Sequence, residues 1–287
     1  MRSSDRIGSP SPWAVPAGFT QKHIAAMLGL TGLVVLCFGI AAAMWRSDDH
    51  AARVVSKYVA LFGLAMAATV AMGVWANEAR KRRSRIVQSA PPHGAAATVV
   101  PGSIGYFTLY QTIWSCFAVL FLGAAFEIGA AAWPTHWPLA LLLACLGLGS
   151  ASAPALAVAG RLRRGRVVLT DQEIVHYGWS SRTSLAWADA PRVITAFERQ
   201  RLIVITGSDG ARWSTCATTP IVRLGRNRHQ LWKLDRPAAA GSIVLECPRL
   251  AVDGYRLYRF LTYYADNPTA RVELGTPAAT KRWATVL

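Results

Sequence analysis

Recognised catalytic and nucleotide-binding motifs are missing from this sequence. It has neither a phosphate-binding P-loop nor a glycine-rich dinucleotide fingerprint, and the run Gly207-Ser208-Asp209-Gly210 is typical of a turn. Ser180-Ser181 and Thr215-Cys216 have no histidine and acid placed in a pattern that would activate them as nucleophiles. The sequence therefore gives no positive indication of an enzyme or of a bound cofactor.

Cysteine is scarce, and its distribution argues against a disulfide scaffold. Three cysteines lie in apolar segments (Cys37, Cys116 and Cys145), two lie in the C-terminal part (Cys216 and Cys247), and no C-x-x-C spacing occurs. An odd number without paired spacing favours free thiols and a reducing compartment. We expect all five to be small buried hydrophobic residues.

Acidic residues are also few: 15 Asp and Glu stand against 31 Lys and Arg, which gives a net charge of +16. A basic excess of this size is typical of proteins that contact nucleic acid or anionic lipid. No nucleic-acid-binding motif is present. Anionic phospholipid is therefore the expected counter-charge, and we predict no nucleic-acid partner.

Long apolar runs, by contrast, are abundant in the first 160 residues. Each of four segments is long enough to cross a bilayer as a helix, which takes roughly 20 apolar residues. They are Ile24–Trp45, Tyr58–Ala76, Phe107–Trp133 and Pro138–Gly160. We predict a four-helix transmembrane domain over residues 21–160, built as two hairpins. Residues 1–20 are predicted to be disordered, and residues 84–105 to be a flexible cytoplasmic linker.

Basic residues in the connections indicate the orientation of these segments. Arg80–Arg85 follows the second segment and Arg161–Arg166 follows the fourth, whereas the connection Pro134–Pro138 has no Lys or Arg. Short loops rich in Lys and Arg face the cytoplasm. We therefore expect a multi-pass protein of the inner (plasma) membrane with both termini in the cytoplasm.

Small residues recur at helix-packing spacing in two apolar segments. Such stripes let helix backbones approach closely, although a chain rich in alanine also produces them by chance. They are Gly63, Ala67 and Ala71 in the second segment, and Gly147, Ala151 and Ala155 in the fourth. The stripes leave a homo-oligomer open.

From Gly165 onward the hydrophobic period changes to that of β-strands. We predict seven short strands and one amphipathic helix, which begins after an Asp253 N-cap and stops at Asn267-Pro268. The strands are Arg166–Thr170, Glu173–Tyr177, Thr183–Trp187, Arg192–Glu198, Arg201–Thr206, Ala211–Cys216 and Ser242–Glu246. Residues 161–276 are thus predicted to form a mainly β domain, followed by a tail over 277–287.

The order of these elements resembles that of the pleckstrin-homology-like domains of bacterial membrane proteins. The resemblance rests on Gly165–Ile174, on Leu185–Asp189 and on the closing helix. In such proteins a strand pair reading vLTdegI follows a transmembrane hairpin, and a W-x-D step leads into the next strand. The whole chain is also similar to a class of actinobacterial multi-pass proteins with a closing segment like Tyr263–Gly275. The resemblance implies a fold and transfers no catalytic residues.

One departure from that pattern is a basic insertion, Leu224–Ala240, which is longer than a compact barrel needs. Basic residues beside an aromatic residue suit anionic headgroups, because each Lys or Arg near such a surface contributes about 1 kcal/mol. The candidate lipid-binding or partner-binding residues are Arg223, Arg226, Arg228, Trp232 and Lys233. The alternative is a solvated loop.

Glu127 is the only acid inside a predicted span, and an intramembrane ionisable group is a functional candidate. It lies near the outer end of the third segment, and no other predicted span offers it a basic partner. We therefore favour an interfacial placement over a transport or proton-transfer role.

A metal site is weakly indicated in the external connections. Asp48, Asp49, His50 and His136 would all be external, but their spacing matches no recognised ligand pattern. They could hold a metal ion only if the fold brought them together, and we predict no metal site.

These observations predict a membrane-anchored binding or scaffolding module. Its cytoplasmic domain would contact a protein partner or anionic inner-leaflet lipid. The alternative is a transporter or channel accessory subunit that acts through the helix bundle, and a membrane enzyme comes third.

Overall fold

The computed structural model describes residue 13 and residues 19–78, 86–89, 96–189, 192–225 and 227–285. Its first part consists of long apolar helices: α1 (Phe19–Arg46), α2 (His50–Glu78) and α3 (Ile104–Val158). Only Ser47–Asp49 separates α1 from α2. The two helices pack against each other and form a tight hairpin.

Helix α3 is a run of 55 residues that folds back on itself. Two parts of it, Ile104–Ala131 and His136–Val158, are each long and apolar enough to cross a membrane. They lie side by side, since a Cβ atom added to Gly147 would come within 2.6 Å of the Leu122 side chain. The bend between them coincides with two prolines of the sequence, and proline interrupts helical hydrogen bonding. The prediction of four long apolar helices is confirmed.

The segment between α2 and α3, predicted to be a flexible linker, contributes two strands instead. They are β1 (Val87–Ser89) and β2 (Ala97–Pro101). Strand β2 pairs with the first strand of the following domain from Thr98 to Pro101. Three consecutive β-branched residues, Thr98, Val99 and Val100, pair with the edge of β3 here, and the Pro- and Ala-rich composition of the segment did not indicate this pairing.

A β domain follows α3, and all of its described strand pairs are antiparallel. One sheet has the order β1-β2-β3-β4-β5-β8, a second has the order β11-β7-β6, and β9-β10 is a separate hairpin. The further strands are β3 (Arg166–Leu169), β4 (Glu173–Tyr177), β5 (Ser181–Ala186), β6 (Arg192–Phe197), β7 (Arg201–Thr206), β8 (Trp213–Ala217), β9 (Ile221–Leu224), β10 (Asn227–Gln230) and β11 (Ser242–Glu246).

Each of the seven predicted strands overlaps an observed one. Hairpin β9-β10 was not predicted, because it straddles the start of the basic insertion and its second strand, Asn227–Gln230, has no apolar residue. We call the strands together with the C-terminal helices the β domain.

The closing helix α4 (Gly254–Asp266) forms as predicted. The Asp253 carboxylate accepts a hydrogen bond from the amide of Arg256 (2.8 Å) and caps the helix. Leu257, Leu261 and Tyr264, one stripe of the helix, are fully buried in the domain core.

Two parts of the chain outside the predicted domain also belong to its core. Residues 277–287 were predicted as a tail, but Pro277–Thr285 forms helix α5, and Trp283 packs edge-on against Phe260 with ring centroids 5.2 Å apart. Trp13, in the segment predicted to be disordered, is only 4% exposed, and its indole donates a hydrogen bond to the carbonyl of Leu202 (2.9 Å). The other residues of 1–18 lie outside the described part of the chain.

The cysteines are free thiols, as expected, although not all are buried. Cys37, Cys116 and Cys247 are buried, whereas Cys145 and Cys216 are exposed. The expectation of five buried cysteines is therefore wrong for these two.

Candidate functional site at the helix–domain junction

The β domain is attached to one end of the helix bundle through the start of α3. Ser103, the N-cap of α3, accepts a hydrogen bond from the Trp75 indole near the end of α2 (2.9 Å). The Ser103 amide donates to the carbonyl of Arg249 (2.8 Å), in the 3₁₀ turn that follows β11. The connection Ser47–Asp49 and the bend of α3 lie at the opposite end of the helices. The bundle thus has a domain end and a connection end.

Aromatic packing fixes the turn after β4 to the first turns of α3. The Trp179 ring lies 5.9 Å from the Tyr106 ring, 5.2 Å from that of Phe107 and 5.1 Å from that of Tyr110, measured between centroids. Trp179 is 2% exposed. Contacts of this kind add about 0.5–1.5 kcal/mol per pair beyond the burial of area, so the turn is held firmly.

Trp232, singled out by the sequence, bridges the two arms of α3. Its indole lies 4.5 Å from the Trp114 ring on the first arm and donates a hydrogen bond to the Ser152 hydroxyl on the second (2.7 Å). The backbone of Trp232 has a φ of +58°, a left-handed conformation that is costly for a bulky residue. Strain of this kind persists only where surrounding contacts hold it, and here the contacts are with the helix bundle.

Asp235 clamps the turn after β4 to the segment that follows Trp232. Its carboxylate accepts hydrogen bonds from the amides of Trp179 (2.9 Å) and Ser180 (2.8 Å) and from the hydroxyls of Ser180 (3.0 Å) and Ser181 (2.8 Å). Burial alone would raise the pKa of Asp235, but these hydrogen bonds outweigh burial and hold the pKa below its usual range. The carboxylate is therefore ionised at neutral pH.

Arg249 completes this polar cluster. Its guanidinium pairs with Asp235 (3.2 Å) and Glu246 (3.0 Å) and lies 4.4 Å from the centroid of the Trp179 ring. These side chains and His176 line a cavity of about 20 Å³, which has room for about one water molecule. Burial lowers the pKa of His176 to about 4, so the imidazole is neutral. The cavity is too small to hold a substrate. We call the cluster of Asp235, Arg249, Glu246 and Trp179 the polar joint, because it connects the β domain to the bundle.

Hairpin β9-β10 lies next to this joint. The side-chain amide of Gln230 donates to the carbonyl of Ser180 (2.7 Å), and the amide of Leu231 donates to the carbonyl of Pro220 (2.9 Å). The hairpin is thereby tied to the turn that packs against α3, and Trp232 follows it directly. The hairpin is therefore a defined element at the domain end of the bundle.

The hairpin exposes apolar and basic side chains together. Ile221 is 53% exposed, Val222 is 49% exposed, and Arg223 and Lys233 are exposed as well. Of the other predicted binding residues, Arg226 lies outside the described residues, and so does the side chain of Arg228. The structure thus brings Trp232 to the bundle and leaves Arg223 and Lys233 facing outward beside it.

Glu127 lies toward the other end of the bundle and has a basic partner there. The Lys57 ammonium donates a hydrogen bond to the Glu127 carboxylate. From the sequence, no other predicted span offered Glu127 a basic partner, since Lys57 directly precedes the predicted second segment, Tyr58–Ala76. That was wrong, because α2 begins at His50 and brings Lys57 onto the helix that faces α3. The two side chains are 47% and 35% exposed, which makes this an accessible pair.

The four candidate metal ligands of the connections do not assemble. Across the described ranges, no group of three or more His, Cys, Asp and Glu side chains could hold a metal ion. Asp49 instead accepts a hydrogen bond from the amide of Ala51 (2.9 Å) at the start of α2.

A wider groove lies at the far side of the β domain. It has a volume of about 810 Å³ and is lined by the ends of β4, β5 and β8, with Trp187, Trp213 and Arg271 among its residues. Asp171 and Glu173 add acidic groups to its rim. Arg212 and Arg271 lie among the same lining residues, so the groove carries both charges.

Sequence reasoning missed Trp179, Asp235 and Arg249, which hold the junction together. Trp179 and Asp235 are 56 residues apart, and no motif relates them. The one available signal was an aromatic residue in a Gly-Trp-Ser-Ser turn, where a polar residue is usual.

Comparison with known proteins adds no relative: no family model matches the chain, and neither a curated protein nor a solved structure matches it.

Proposed function

We propose that this chain is a membrane-anchored binding module. Four helices would cross the inner membrane, and the β domain would lie on the cytoplasmic side, held close to the bilayer. Hairpin β9-β10 would contact anionic inner-leaflet lipid. The proposal depends on the contacts of Trp232 with Trp114 and Ser152, because they attach the basic insertion to both arms of α3.

The position of the Trp232 contact along α3 supports contact of the hairpin with the membrane surface. Trp114, which packs on Trp232, is 19 residues before Trp133. At 1.5 Å per residue, this spacing corresponds to about 28 Å of helix. The hydrocarbon core of a bilayer is roughly 30 Å thick, and tryptophan is enriched at its two boundaries. Trp114 and Trp232 would thus lie at one boundary, with the exposed Ile221 and Val222 nearby.

The charge distribution supports the orientation. The domain end of the bundle carries the exposed residues Arg161, Arg163, Arg164 and Arg166 directly after α3. Loops rich in arginine stay in the cytoplasm. Because α1 and α2 form a hairpin and the two arms of α3 form another, both termini would share that side.

The pleckstrin-homology-like fold is also a proposal. Two antiparallel sheets and a capped helix across the core agree with the resemblance that the sequence shows. Two features depart from it: β2 extends the first sheet from before α3, and β8 returns to pair with β5.

A transport role has less support. The Lys57–Glu127 pair is the observation that would favour it, since an intramembrane ion pair often marks a pathway. The pair is partly exposed near the connection end, however, and both cavities described above are in the β domain. A protein partner would bind in the groove beside Trp213, at the far side of the β domain from the bundle.

Site-specific fluorescence in nanodiscs tests the proposal. In full-length protein with Cys145→Ser and Cys216→Ser, a single environment-sensitive dye would be attached through Val222→Cys on the hairpin. Asp209→Cys, in the exposed turn after β7, is the matched control. We expect doxyl-labelled lipid to quench the dye at residue 222 strongly and the dye at residue 209 weakly, more so with anionic than with zwitterionic lipid.

Trp232→Ala should reduce quenching at residue 222, because it removes the bridge to α3. Equal quenching at residues 222 and 209 would contradict the proposal.

Affinity purification of the full-length chain in mild detergent tests separately for a protein partner. A stoichiometric protein that elutes with it would point to the groove beside Trp213 as a second binding surface.

A further inference from the structure

An arginine–tyrosine–arginine row crosses the outer face of the first sheet. Arg166 on β3 pairs in register with Tyr177 on β4, which pairs in turn with Arg182 on β5. Both guanidinium groups lie against the same ring, at 4.7 Å and 5.1 Å from its centroid. Alternation places this row outside, since the next inward residues, Val167 and Thr183, are buried.

The two guanidinium groups have no counter-ion in the described part of the chain. Neither Arg166 nor Arg182 takes part in an ion pair or a side-chain hydrogen bond among these residues, and both are exposed. In contrast, Arg236, Arg249 and Arg282 of the same domain each pair with a carboxylate. Two cations on one ring repel each other, and an anion placed between them would remove that repulsion.

The row lies at the domain end of the bundle. Arg166 is eight residues after the end of α3 at Val158, and Tyr177 is two residues before Trp179, which packs on the start of α3. Arg182 follows the Ser180–Ser181 turn that Asp235 clamps. Hairpin β9-β10 is bonded to the same turn through Gln230. The row and the hairpin thus lie at the same end of the domain.

We propose that Arg166, Tyr177 and Arg182 form a binding site for the phosphate of an anionic inner-leaflet lipid. This inference rests on the proposed function, which places the domain end at the membrane surface. A planar guanidinium donates two parallel hydrogen bonds to a phosphate, and stacking on an aromatic ring orients it beforehand. Arg161, Arg163 and Arg164, which are exposed directly before β3, add positive charge beside the site.

A lipid phosphate fits the position better than a dissolved anion. Both arginines are exposed, so a small anion would remain largely solvated beside them. A lipid headgroup is delivered at high local concentration by the bilayer that the helices occupy. Each arginine near an anionic surface should then add to affinity.

Native mass spectrometry of the full-length protein in detergent tests the site. Bound phosphatidylglycerol and phosphatidylcholine would be counted during titration of the wild type and of Arg166→Gln/Arg182→Gln. Arg192→Gln/Arg212→Gln removes the same charge at the opposite end of the domain and is the matched control. We expect the first variant to lose on the order of tenfold in phosphatidylglycerol affinity, and the control to lose little.

Two single variants separate a built site from diffuse charge. Tyr177→Leu keeps both charges but removes the ring that orients them, and Arg182→Lys keeps the charge but removes planar stacking. We expect both to weaken phosphatidylglycerol binding by several-fold. Wild-type affinity in both variants would overturn the site, and so would equal losses for the Arg166/Arg182 and Arg192/Arg212 pairs.

Inorganic phosphate distinguishes the source of the anion. If a roughly tenfold excess of inorganic phosphate over lipid displaces phosphatidylglycerol from the wild type, the row binds a free anion and the lipid assignment is wrong.

The hairpin dye distinguishes failure of this inference from failure of the proposed function. If the dye at residue 222 is quenched by lipid while the Arg166/Arg182 variant binds lipid normally, this inference fails and the proposed function stands. If lipid does not quench that dye and the row still selects phosphatidylglycerol, the hairpin proposal fails and the row remains.

Discussion

The helix bundle and the β domain place their apolar side chains in opposite ways. On the helices large apolar side chains are exposed, among them Leu28 and Val35 at 68% and Phe126 at 77%. In the β domain Ile203 and Ile205 expose nothing. Apolar surface as extensive as that of the helices is unusual for a protein in water and ordinary for one in lipid. The helices thus expose the kind of surface that a bilayer would cover, and the β domain buries it.

The junction between them has a third character. Trp179 and Trp232 present apolar rings to the helices, while Asp235 and Arg249 satisfy the polar groups behind those rings. Aromatic residues with one polar edge suit a boundary where one side is apolar and the other is wet. Side chains with an apolar ring and a polar partner thus join the apolar helices to the β domain.

Removal of Asp235 should break this arrangement most strongly. Asp235→Ala leaves the amides of Trp179 and Ser180 without their acceptor and removes one of the two carboxylates that pair with Arg249, and breaking a buried pair costs about 3–5 kcal/mol. We expect a clear fall in the unfolding temperature of the full-length protein in detergent. Asp209→Ala, in an exposed turn, is the control and should leave that temperature unchanged. Wild-type stability of Asp235→Ala would contradict the clamp.

Trp13→Ala should have the next largest effect, confined to the β domain. Trp13 fills the core beside Gly254 and Cys247, and truncation of a buried tryptophan costs about 3–5 kcal/mol. We expect faster labelling of the Cys247 thiol by a maleimide. Burial raises the pKa of this thiol to about 12 in the intact domain, which keeps it unreactive.

Trp45→Ala is the control for that measurement, because Trp45 is 66% exposed on the bundle. It should leave the labelling rate of Cys247 unchanged. If Trp13→Ala also leaves the rate unchanged, the indole does not cover this part of the core.

Acid should weaken the β domain before it affects the helices. Burial lowers the pKa of His176 to about 4 from the ordinary 6.5, so between these values the unfolded chain binds the proton and the folded chain does not. Stability is then full above pH 6.5 and falls as the pH drops toward 4, by up to about 1.4 kcal/mol per pH unit. The lowered pKa of Asp235 acts in the same direction at still lower pH.

The measurement is the unfolding temperature across pH 7.5 to 4.5 for the wild type and His176→Asn. We expect a shallower slope in the variant. Equal slopes would show that His176 does not govern this dependence.

The Lys57–Glu127 pair should contribute least. Both side chains are partly exposed, and exposed ion pairs contribute little to stability. A double-mutant cycle of Lys57→Met and Glu127→Gln, read by thermal unfolding in detergent, should therefore give a coupling close to zero. A much larger coupling would indicate a desolvated pair and would sharpen the case for a role inside the bundle.

Features set by neighbouring residues were the ones that could be predicted. The four apolar helices follow from run length, the seven strands from period-2 patterns, and the start of α4 from Asp253. Strand β2 and helix α5 were missed, because their sequences are short and their stability comes from packing on a sheet edge and on Phe260. Trp232 could be identified as a candidate from its basic neighbours, but its contacts with α3 could not be predicted.

The sequence by itself determined which segments are apolar helices, which are strands, and where the basic residues cluster, because these depend on patterns within a few turns of chain. Only the tertiary structure decided how the segments meet. Asp235 binds Ser180 across 55 residues, Lys57 binds Glu127 across 70, and Trp13 binds Leu202 across 189. The row of Arg166, Tyr177 and Arg182 likewise exists only through strand register. Such contacts follow from which surfaces are buried together, and no local period encodes that choice.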